Sequence, residues 1–347
     1  MYSGYDYGNA RLRAMKSRLF TRRTYDEIAA LPSVDALISW LARSTYSAEA
    51  EAALARYSGL RAVHEACRLR LANVMRSVLS FFSGDAARLV GILLAPWDLY
   101  NLKTIMRGQE SGLPADEIVE LLVPAGQLDD ATLKTLARQR NANETAALLH
   151  TWNSPLAACV IAAQEARLET NDWSVLESTL DANFYQGLVA RLNDRAQNDR
   201  IVREYLSRRI DVTNIIVAVR LRAGRPELPE SFLRRQLLDG GSLSADSLLE
   251  LISTRSPLDA LGLLKDSRVG PALIGLDVLD PARLQALLER DFNSFSLRFL
   301  KRDPLTIATV IGFVAAQKIE TLNIRLLGET VALGLGRTEF KKELIVH

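Results

Sequence analysis

Few residues of this chain could bind a metal ion, and their spacing does not suit one. His64-Glu65 resembles the start of a metallohydrolase helix, but Arg68 occupies the position where that motif needs its second histidine. The other candidate ligands are scattered along the chain: Cys67, His150, Cys159 and His347. Because a metal site needs ligands at short, regular spacings, we expect no metal and a structural role for each of these residues.

The sequence also gives little support for acid–base or nucleophilic catalysis. Asp129 and Asp130 are adjacent acids, but neighbouring residues point in different directions on a helix. Directly after a glycine turn, they are better placed to stabilise the N-terminus of the next helix through its dipole. No Ser-His-acid set can be assembled from the sequence. We therefore predict no catalytic residue.

A phosphate-binding loop would need closely spaced glycines. The nearest fragment is Gly334-Leu-Gly336, and Glu339 stands where a third glycine would be. The sequence contains no Gly-x-x-x-x-Gly-Lys run. We therefore expect the chain to bind no nucleotide and to carry no other cofactor.

The composition favours helices and argues against nucleic acid as a partner. Hydrophobic residues make up 48% of the 347 residues and aromatic residues only 7%. The apolar residues are mainly Leu, Ala, Val and Ile, and Leu and Ala are strong helix formers. The formal net charge is +2, whereas nucleic-acid-binding proteins usually have a clear basic excess.

No segment reads as a signal peptide or a membrane span. Met1–Arg13 lacks the apolar core of a signal peptide. Thr145–Gln164 is free of charge but contains polar residues, and Leu305–Ala316 is too short for the roughly 20 apolar residues that a span needs. Both are predicted to be buried core helices. Two cysteines make no disulfide framework, which fits a cytoplasmic protein.

Apolar residues recur near every 3.6 positions, which predicts an all-α fold. Capping boxes are predicted at Thr24-Tyr-Asp-Glu27 and Ser174-Val-Leu-Glu177. Leu-Pro pairs at 31–32, 113–114 and 228–229 should separate helices. One predicted apolar stripe consists of Leu71, Met75, Val78, Leu79 and Phe82.

The chain contains internal repeats. A shift of 115 residues places Leu113-Pro114 on Leu228-Pro229 and Gly126 on Gly241, with further apolar pairs between and after them. Both copies read as Leu-Pro, a helix, a glycine turn, a leucine and another helix. A shift of 108 residues aligns another set, in which Leu176, Leu180 and Phe184 fall on Leu284, Leu288 and Phe292. These registers indicate a duplicated helical module.

A shorter motif, which we call the boundary motif, occurs four times. It consists of a large apolar residue, an acid, two variable positions and an asparagine. The copies are Tyr5-Asp6-x-x-Asn9, Trp97-Asp98-x-x-Asn101, Ile210-Asp211-x-x-Asn214 and Ile319-Glu320-x-x-Asn323. They predict three helical modules, at 1–97, 98–210 and 211–347, the last with a C-terminal tail.

Asn101, Asn214 and Asn323 lie on apolar helix stripes; Asn214, for example, falls between Ile210 and Ala218. A buried amide needs partners, and the acid three residues earlier or a backbone carbonyl could supply them. Two interpretations are open. The asparagines either fix helix register or line a surface that contacts a partner.

The most basic stretch follows the first motif. It contains Arg11, Arg13, Lys16, Arg18, Arg22 and Arg23. Leu12, Met15 and Leu19 are predicted to form an apolar stripe on the same helix. The basic residues would form a solvated face or contact acidic loops of a partner or anionic lipid headgroups.

The boundary helices and the two Leu-Pro…Gly segments resemble the C subunit of the V/A-type rotary ATPases, the counterpart of the d subunit of eukaryotic V-ATPases. The segments that carry the resemblance in the boundary helices are Asn9–Leu19, Asp98–Arg107, Asp211–Ile216 and Glu320–Arg325. The resemblance covers essentially the whole chain and implies a funnel of three similar helical modules around a pseudo-threefold axis. It also implies a non-catalytic protein, because ATP chemistry belongs to the A and B subunits.

The resemblance further implies a peripheral position on the cytoplasmic side of the membrane. There the protein would join the central stalk, with its D- and F-type subunits, to the proteolipid c-type ring and transmit torque. Residues that could contact these partners are Arg11, Arg13, Lys16, Arg18, Asn101, Lys103, Asn214, Asn323 and Arg325. Ile216 replaces the basic residue that follows the motif in the other copies, which weakens that assignment. The alternatives are a helical-repeat adaptor with a concave binding surface and a helical enzyme that uses scattered acids.

Overall fold

The computed structural model describes residues 4–224, 229–254, 256–335, 340–341 and 343–346, and every regular element in them is helical. The all-α prediction is confirmed. The α-helices are α1 (Asp6–Lys16), α2 (Arg22–Ile28), α3 (Val34–Leu41), α4 (Ser47–Leu54), α5 (Gly59–Ser80), α6 (Gly84–Glu110), α7 (Ala115–Leu121), α8 (Asp130–Ala137), α9 (Ala142–Thr151), α10 (Leu156–Thr170), α11 (Trp173–Ala190), α12 (Gln197–Gly224), α13 (Glu230–Arg235), α14 (Ala245–Ser253), α15 (Pro257–Lys265), α16 (Pro281–Leu297) and α17 (Ala308–Ala332). Two short 3₁₀ helices are η1 (Gly270–Leu273) and η2 (Arg298–Lys301).

Prolines and acids mark helix starts where the sequence predicts them. Pro114 and Pro229 are the N-cap residues of α7 and α13, and Pro32 lies between α2 and α3. Leu228 lies outside the described residues. Asp130 is the first residue of α8, where its carboxylate interacts favourably with the positive end of the helix dipole.

Both predicted capping boxes are wrong in position. Thr21 caps α2, and its hydroxyl and that of Thr24 bind each other's backbone N–H groups, so Thr24 is the third helical residue. Asp172 caps α11 by accepting a hydrogen bond from the N–H of Ser174. In both cases an earlier side chain could satisfy the free N–H groups of the first turn.

The two charge-free stretches lie in helices, with one correction. Thr145–Gln164 is not a single helix, because Asn153, with φ of 52°, separates α9 from α10. Leu305–Ala316 contains the start of α17, which is buried from Ile307 to Phe313 except for half-buried Thr309. None of the helices in the described ranges is long and apolar enough to cross a membrane.

The repeat registers agree with the pattern of burial. Ile118 and Leu233, which the shift of 115 residues aligns, are both buried. The shift of 108 residues also aligns buried residues: Leu176 with Leu284, Leu180 with Leu288 and Phe184 with Phe292. Equivalent positions therefore contribute to the core in equivalent helices. In α5, Leu71, Met75 and Val78 are buried as predicted.

The chain divides into two compact units. The first comprises 1–98, 123–130 and 294–347, and the second comprises 99–122 and 131–293. In the first, α3, α4 and α5 pack with α17 around a core to which both ends of the chain contribute. In the second, α10 packs against α9 and α11, and α12 packs against α14.

Candidate functional site: the joints of the boundary motif

Asp98, in the middle of α6, binds a turn that follows it in the chain. Its side chain accepts hydrogen bonds from the backbone N–H groups of Gln127 and Leu128, both at 2.9 Å. A Cβ atom added to Gly126 would lie 2.1 Å from Asp98 Oδ1, so only glycine permits this approach. The carboxylate thereby satisfies backbone donors just before α8 begins. We call such a contact between a motif carboxylate and a backbone turn a joint.

Asp211, in α12, makes a second joint of the same design. Its Oδ1 accepts from the N–H groups of Ser242 at 2.7 Å and Leu243 at 3.1 Å, and its Oδ2 accepts from the Ser242 hydroxyl at 2.6 Å. A Cβ atom on Gly241 would lie 2.5 Å from Asp211 Oδ1. The two glycines that the repeat aligns therefore have the same physical role, which is to let a turn approach a buried carboxylate.

Glu320, in α17, makes a third joint, with a turn near the N-terminus. Its carboxylate accepts from the backbone N–H of Phe20, just before α2, and from the hydroxyl of Tyr46 at 2.9 Å. Gln317 donates to the same carboxylate at 3.3 Å. No glycine adjoins Phe20 in the sequence, and the acid here is Glu, one methylene longer than Asp.

Burial controls the electrostatics of two joints. Burial raises the pKa of Asp98 to about 6, although the two backbone N–H donors act in the opposite direction. Burial also raises the pKa of Glu320, again against its hydrogen bonds from Phe20 and Tyr46. The pKa of the fully buried Tyr46 is well above its usual value, because burial and the adjacent Glu320 both disfavour its ionisation.

Asn214 and Asn323 of the motif bind backbone groups at least 22 residues further along the chain. Asn214 donates to the carbonyl of Leu238 at 2.9 Å and accepts from its N–H at 2.7 Å. Asn323 donates to the carbonyl of Ile345 at 2.7 Å. Asn101 is fully buried. Such burial and pairing are what the register interpretation expects, whereas contact of these residues with a partner stays a prediction.

The predicted basic helix is divided, which corrects its expected stripe. Helix α1 ends at Lys16 and α2 begins at Arg22, so buried Leu19 belongs to the connection between them. The Arg11 guanidinium lies 4.7 Å from the centre of the Phe81 ring. The exposed residues of the predicted contact set are Arg11, Arg13, Arg18 and Arg325. Lys16 is half-buried, and Lys103 forms an ion pair with Asp181 at 2.5 Å.

Two of the candidate metal ligands, His64 and Cys67, lie in α5. His64 lies with its Nε2 3.5 Å from Glu329, and burial lowers its pKa. Burial raises the pKa of the Cys67 thiol to about 12. Within the described residues, no three His, Cys, Asp or Glu side chains cluster as metal ligands. Gly336, Glu339 and His347 lie outside those residues.

Sequence reasoning missed the partners of Glu320. Tyr46 is 274 positions away in the chain and Phe20 is 300 positions away. No local pattern marks either residue, and the repeat registers align only the internal copies. The ion pair between Arg209 and Glu289, with 2.7 Å between Nη1 and Oε1, also has no signal in the sequence.

The Asp98 and Asp211 joints share one design at glycines that the repeat aligns, and with the all-helical architecture they define a helical scaffold with internal repeats. The family model of the ATP synthase (C/AC39) subunit matches residues 8–343. The chain belongs to this family, that of the C subunits of V/A-type ATP synthases. The match confirms the resemblance.

Individual relatives agree over nearly their whole length. The C subunit of the V-type ATP synthase of Deinococcus radiodurans is 27% identical over 99% of this chain and 92% of its own length. The C subunit of the A-type ATP synthase of Haloferax volcanii is 27% identical over 98% of this chain and 97% of its own. The corresponding A-type protein of Pyrococcus abyssi is 24% identical over 99% and 90%.

Proposed function

We propose that this chain is the non-catalytic coupling subunit of a rotary V/A-type ion-translocating ATPase. It connects the central stalk, through D- and F-type subunits, to the proteolipid c-type ring, and it transmits torque between them. Family membership over residues 8–343 is the observation that carries this proposal. The protein is peripheral, held at the cytoplasmic face of the membrane by the complex.

The joints support a mechanical role. A torque-transmitting protein must resist deformation, and close-packed interiors have low compressibility. In each joint a buried carboxylate fixes the turn that precedes a helix, as Asp98 does for α8 and Asp211 for α14. Loss of such a buried acceptor leaves N–H groups unpaired, at a cost of about 1–3 kcal/mol each. The joints therefore stiffen the helix connections through which the load passes.

Among the predicted contact residues, the exposed basic ones are accessible to a partner. Arg11, Arg13 and Arg18 project from the first helix and its C-terminal end into solvent, as Arg325 does from α17. Exposed cations can be attracted by acidic loops of stalk or ring subunits. The buried Asn101, Asn214 and Asn323 and the paired Lys103 would then act inside the protein, by holding these helices in register.

Co-purification from membranes tests the proposal. The tagged chain is expressed with the other subunits of its complex, and the captured proteins are identified by mass spectrometry. Stalk and proteolipid subunits are expected with the unmodified chain. If neither is recovered with an intact, folded chain, the proposed function is wrong.

Charge reversal tests the contact residues separately. The triple variant Arg11→Glu, Arg13→Glu, Arg18→Glu should lose at least tenfold in recovered stalk or ring subunits. The matched control reverses three exposed arginines of another region, Arg138, Arg195 and Arg200. Equal recovery by both variants would exclude the first set as a contact.

A further inference from the structure

The three joints differ in the direction in which they connect the chain. In the Asp98 joint the bound N–H groups lie 29 and 30 residues after the acid, and in the Asp211 joint they lie 31 and 32 residues after it. In the Glu320 joint the bound N–H belongs to Phe20, 300 residues before the acid. The Asp98 and Asp211 joints therefore connect segments that are close in the sequence, whereas the Glu320 joint connects the two ends of the chain.

The asparagine contacts repeat this relationship. Asn214 binds the carbonyl of Leu238, which lies just before the glycine turn that Asp211 holds. Asn323 binds the carbonyl of Ile345 in the C-terminal tail. The tail is therefore bound by Asn323 as the segment around Leu238 is bound by Asn214. In the Asp211 joint, the turn that the acid binds follows the segment around Leu238. The equivalent turn, which Glu320 binds, is the one at Phe20.

The C-terminal tail is packed into the N-terminal helices. Phe340 is 1% exposed and Leu344 is 8% exposed, and both belong to one core with residues of α2, α3 and α5. The rings of Phe340 and Tyr25 are 6.5 Å apart. Lys341 lies 2.8 Å from Asp26.

The first copy of the boundary motif makes a different contact. Asn9 in α1 donates to the carbonyls of Pro304 and Thr306, at 2.8 and 2.9 Å, just before α17 begins. It therefore binds the N-terminal end of the helix that carries Glu320. Helix α1 holds α17 in place, and α17 holds the turn at Phe20.

We propose that α17 and the C-terminal tail are a strap that closes the N-terminal helices into a complete module. This module consists of residues 17–97 together with 308–335, 340–341 and 343–346, and it replaces the predicted contiguous module at 1–97. The chain is then a circularly permuted triple repeat, in which the segment that closes the first module is the last to be synthesised. The inference is independent of the proposed rotary function.

Hydrogen exchange of the full chain, read by mass spectrometry, tests the strap. Glu320→Ala removes the acceptor of the Phe20 N–H. Leu322→Ala is the control, because Leu322 is 41% exposed on the same helix. In the Glu320 variant, the amides of α2 and α3 are expected to exchange at least tenfold faster, with α14 and α15 unchanged. The control should leave all four helices unchanged.

Three results would overturn the inference. Faster exchange confined to α16 and α17 would show that the C-terminal helices form a module of their own. No change at α2 and α3, or an equal increase along the whole chain, would exclude a specific strap. If Glu320→Ala does not fold, Tyr46→Phe removes only one hydroxyl bond to the carboxylate and must accelerate exchange in α2 and α3 more than in α14 and α15.

Discussion

Asn214 exchanges two hydrogen bonds with the backbone of Leu238 from a buried position between Ile210 and Ala218 of α12. An asparagine amide has both donors and an acceptor, so one side chain can pair both groups of a single peptide residue. The contact sets where the segment after α13 crosses α12. Asp211, one helical turn before Asn214, binds the glycine turn that follows this segment in the chain. The register of α12 and the position of the glycine turn are therefore fixed by two residues of one motif, Asn214 and Asp211.

The substitution Asn214→Leu should destabilise the chain. The apolar side chain leaves the N–H and the carbonyl of Leu238 unpaired, at a cost of about 1–3 kcal/mol per buried group. Asn143→Leu is the control, because Asn143 is exposed in α9 and surface changes usually stay within about 0.5 kcal/mol. Thermal and urea unfolding measure the difference. An unchanged midpoint together with a tenfold loss of affinity for stalk subunits, about 1.4 kcal/mol, would instead favour a partner-contact role.

The substitution Gly126→Ala should open the Asp98 joint. The new methyl group would lie 2.1 Å from Asp98 Oδ1, and overpacking of this kind typically costs about 1–3 kcal/mol. Gly187→Ala in α11 is the matched control, since nothing lies within 4 Å of its added Cβ and helix propensity favours alanine by about 1 kcal/mol. Urea unfolding should show the two variants shifting in opposite directions. A stabilising effect of Gly126→Ala would contradict the joint geometry.

Asp98 should make stability depend on pH in a defined direction. Its folded-state pKa of about 6 is above the ordinary value of 3.8, so the folded chain binds more protons than the unfolded chain between these values. The contribution of Asp98 to stability is therefore greatest below pH about 4 and falls as pH rises through about 6. A shift of about two pKa units corresponds to about 3 kcal/mol at most.

The comparison of wild type with Asp98→Asn isolates this effect, because the other titrating groups are common to both. The free energy of unfolding is measured for each between pH 4 and pH 7.5. The wild type should lose stability relative to the variant as pH rises. A constant difference, or a relative gain by the wild type, would contradict the assigned pKa direction.

The isolated chain should not bind ATP with magnesium, because its sequence has no phosphate-binding glycine loop. Calorimetric titration is the direct measurement. Micromolar binding at unit stoichiometry would contradict a purely structural role.

Much of the fold can be predicted from short-range sequence patterns, whereas the contacts of the joints cannot. Helix periodicity and proline positions predict the all-α fold and the starts of α7 and α13, because these depend on neighbouring residues. The predicted capping boxes are wrong where an earlier side chain, Thr21 or Asp172, could cap the same first turn. The repeat located the glycines at 126 and 241, but it could not reveal that they face Asp98 and Asp211.

The Glu320 joint could not be predicted, because it brings together residues 300 positions apart without a local signal. The acid of this joint belongs to the fourth copy of the boundary motif, although the first copy is the nearest to Phe20 in the chain. The pseudo-threefold arrangement of the modules and the partner contacts stay predictions.

The most direct test of the central claim is rotary coupling in the assembled complex. Vesicles containing the complex, with and without this protein, are assayed for ATP hydrolysis and for ATP-driven uptake of protons or sodium ions. A coupling role predicts that the complex without the protein still hydrolyses ATP but no longer transports ions, and that added purified chain restores transport. Undiminished ion transport in its absence would contradict a coupling role.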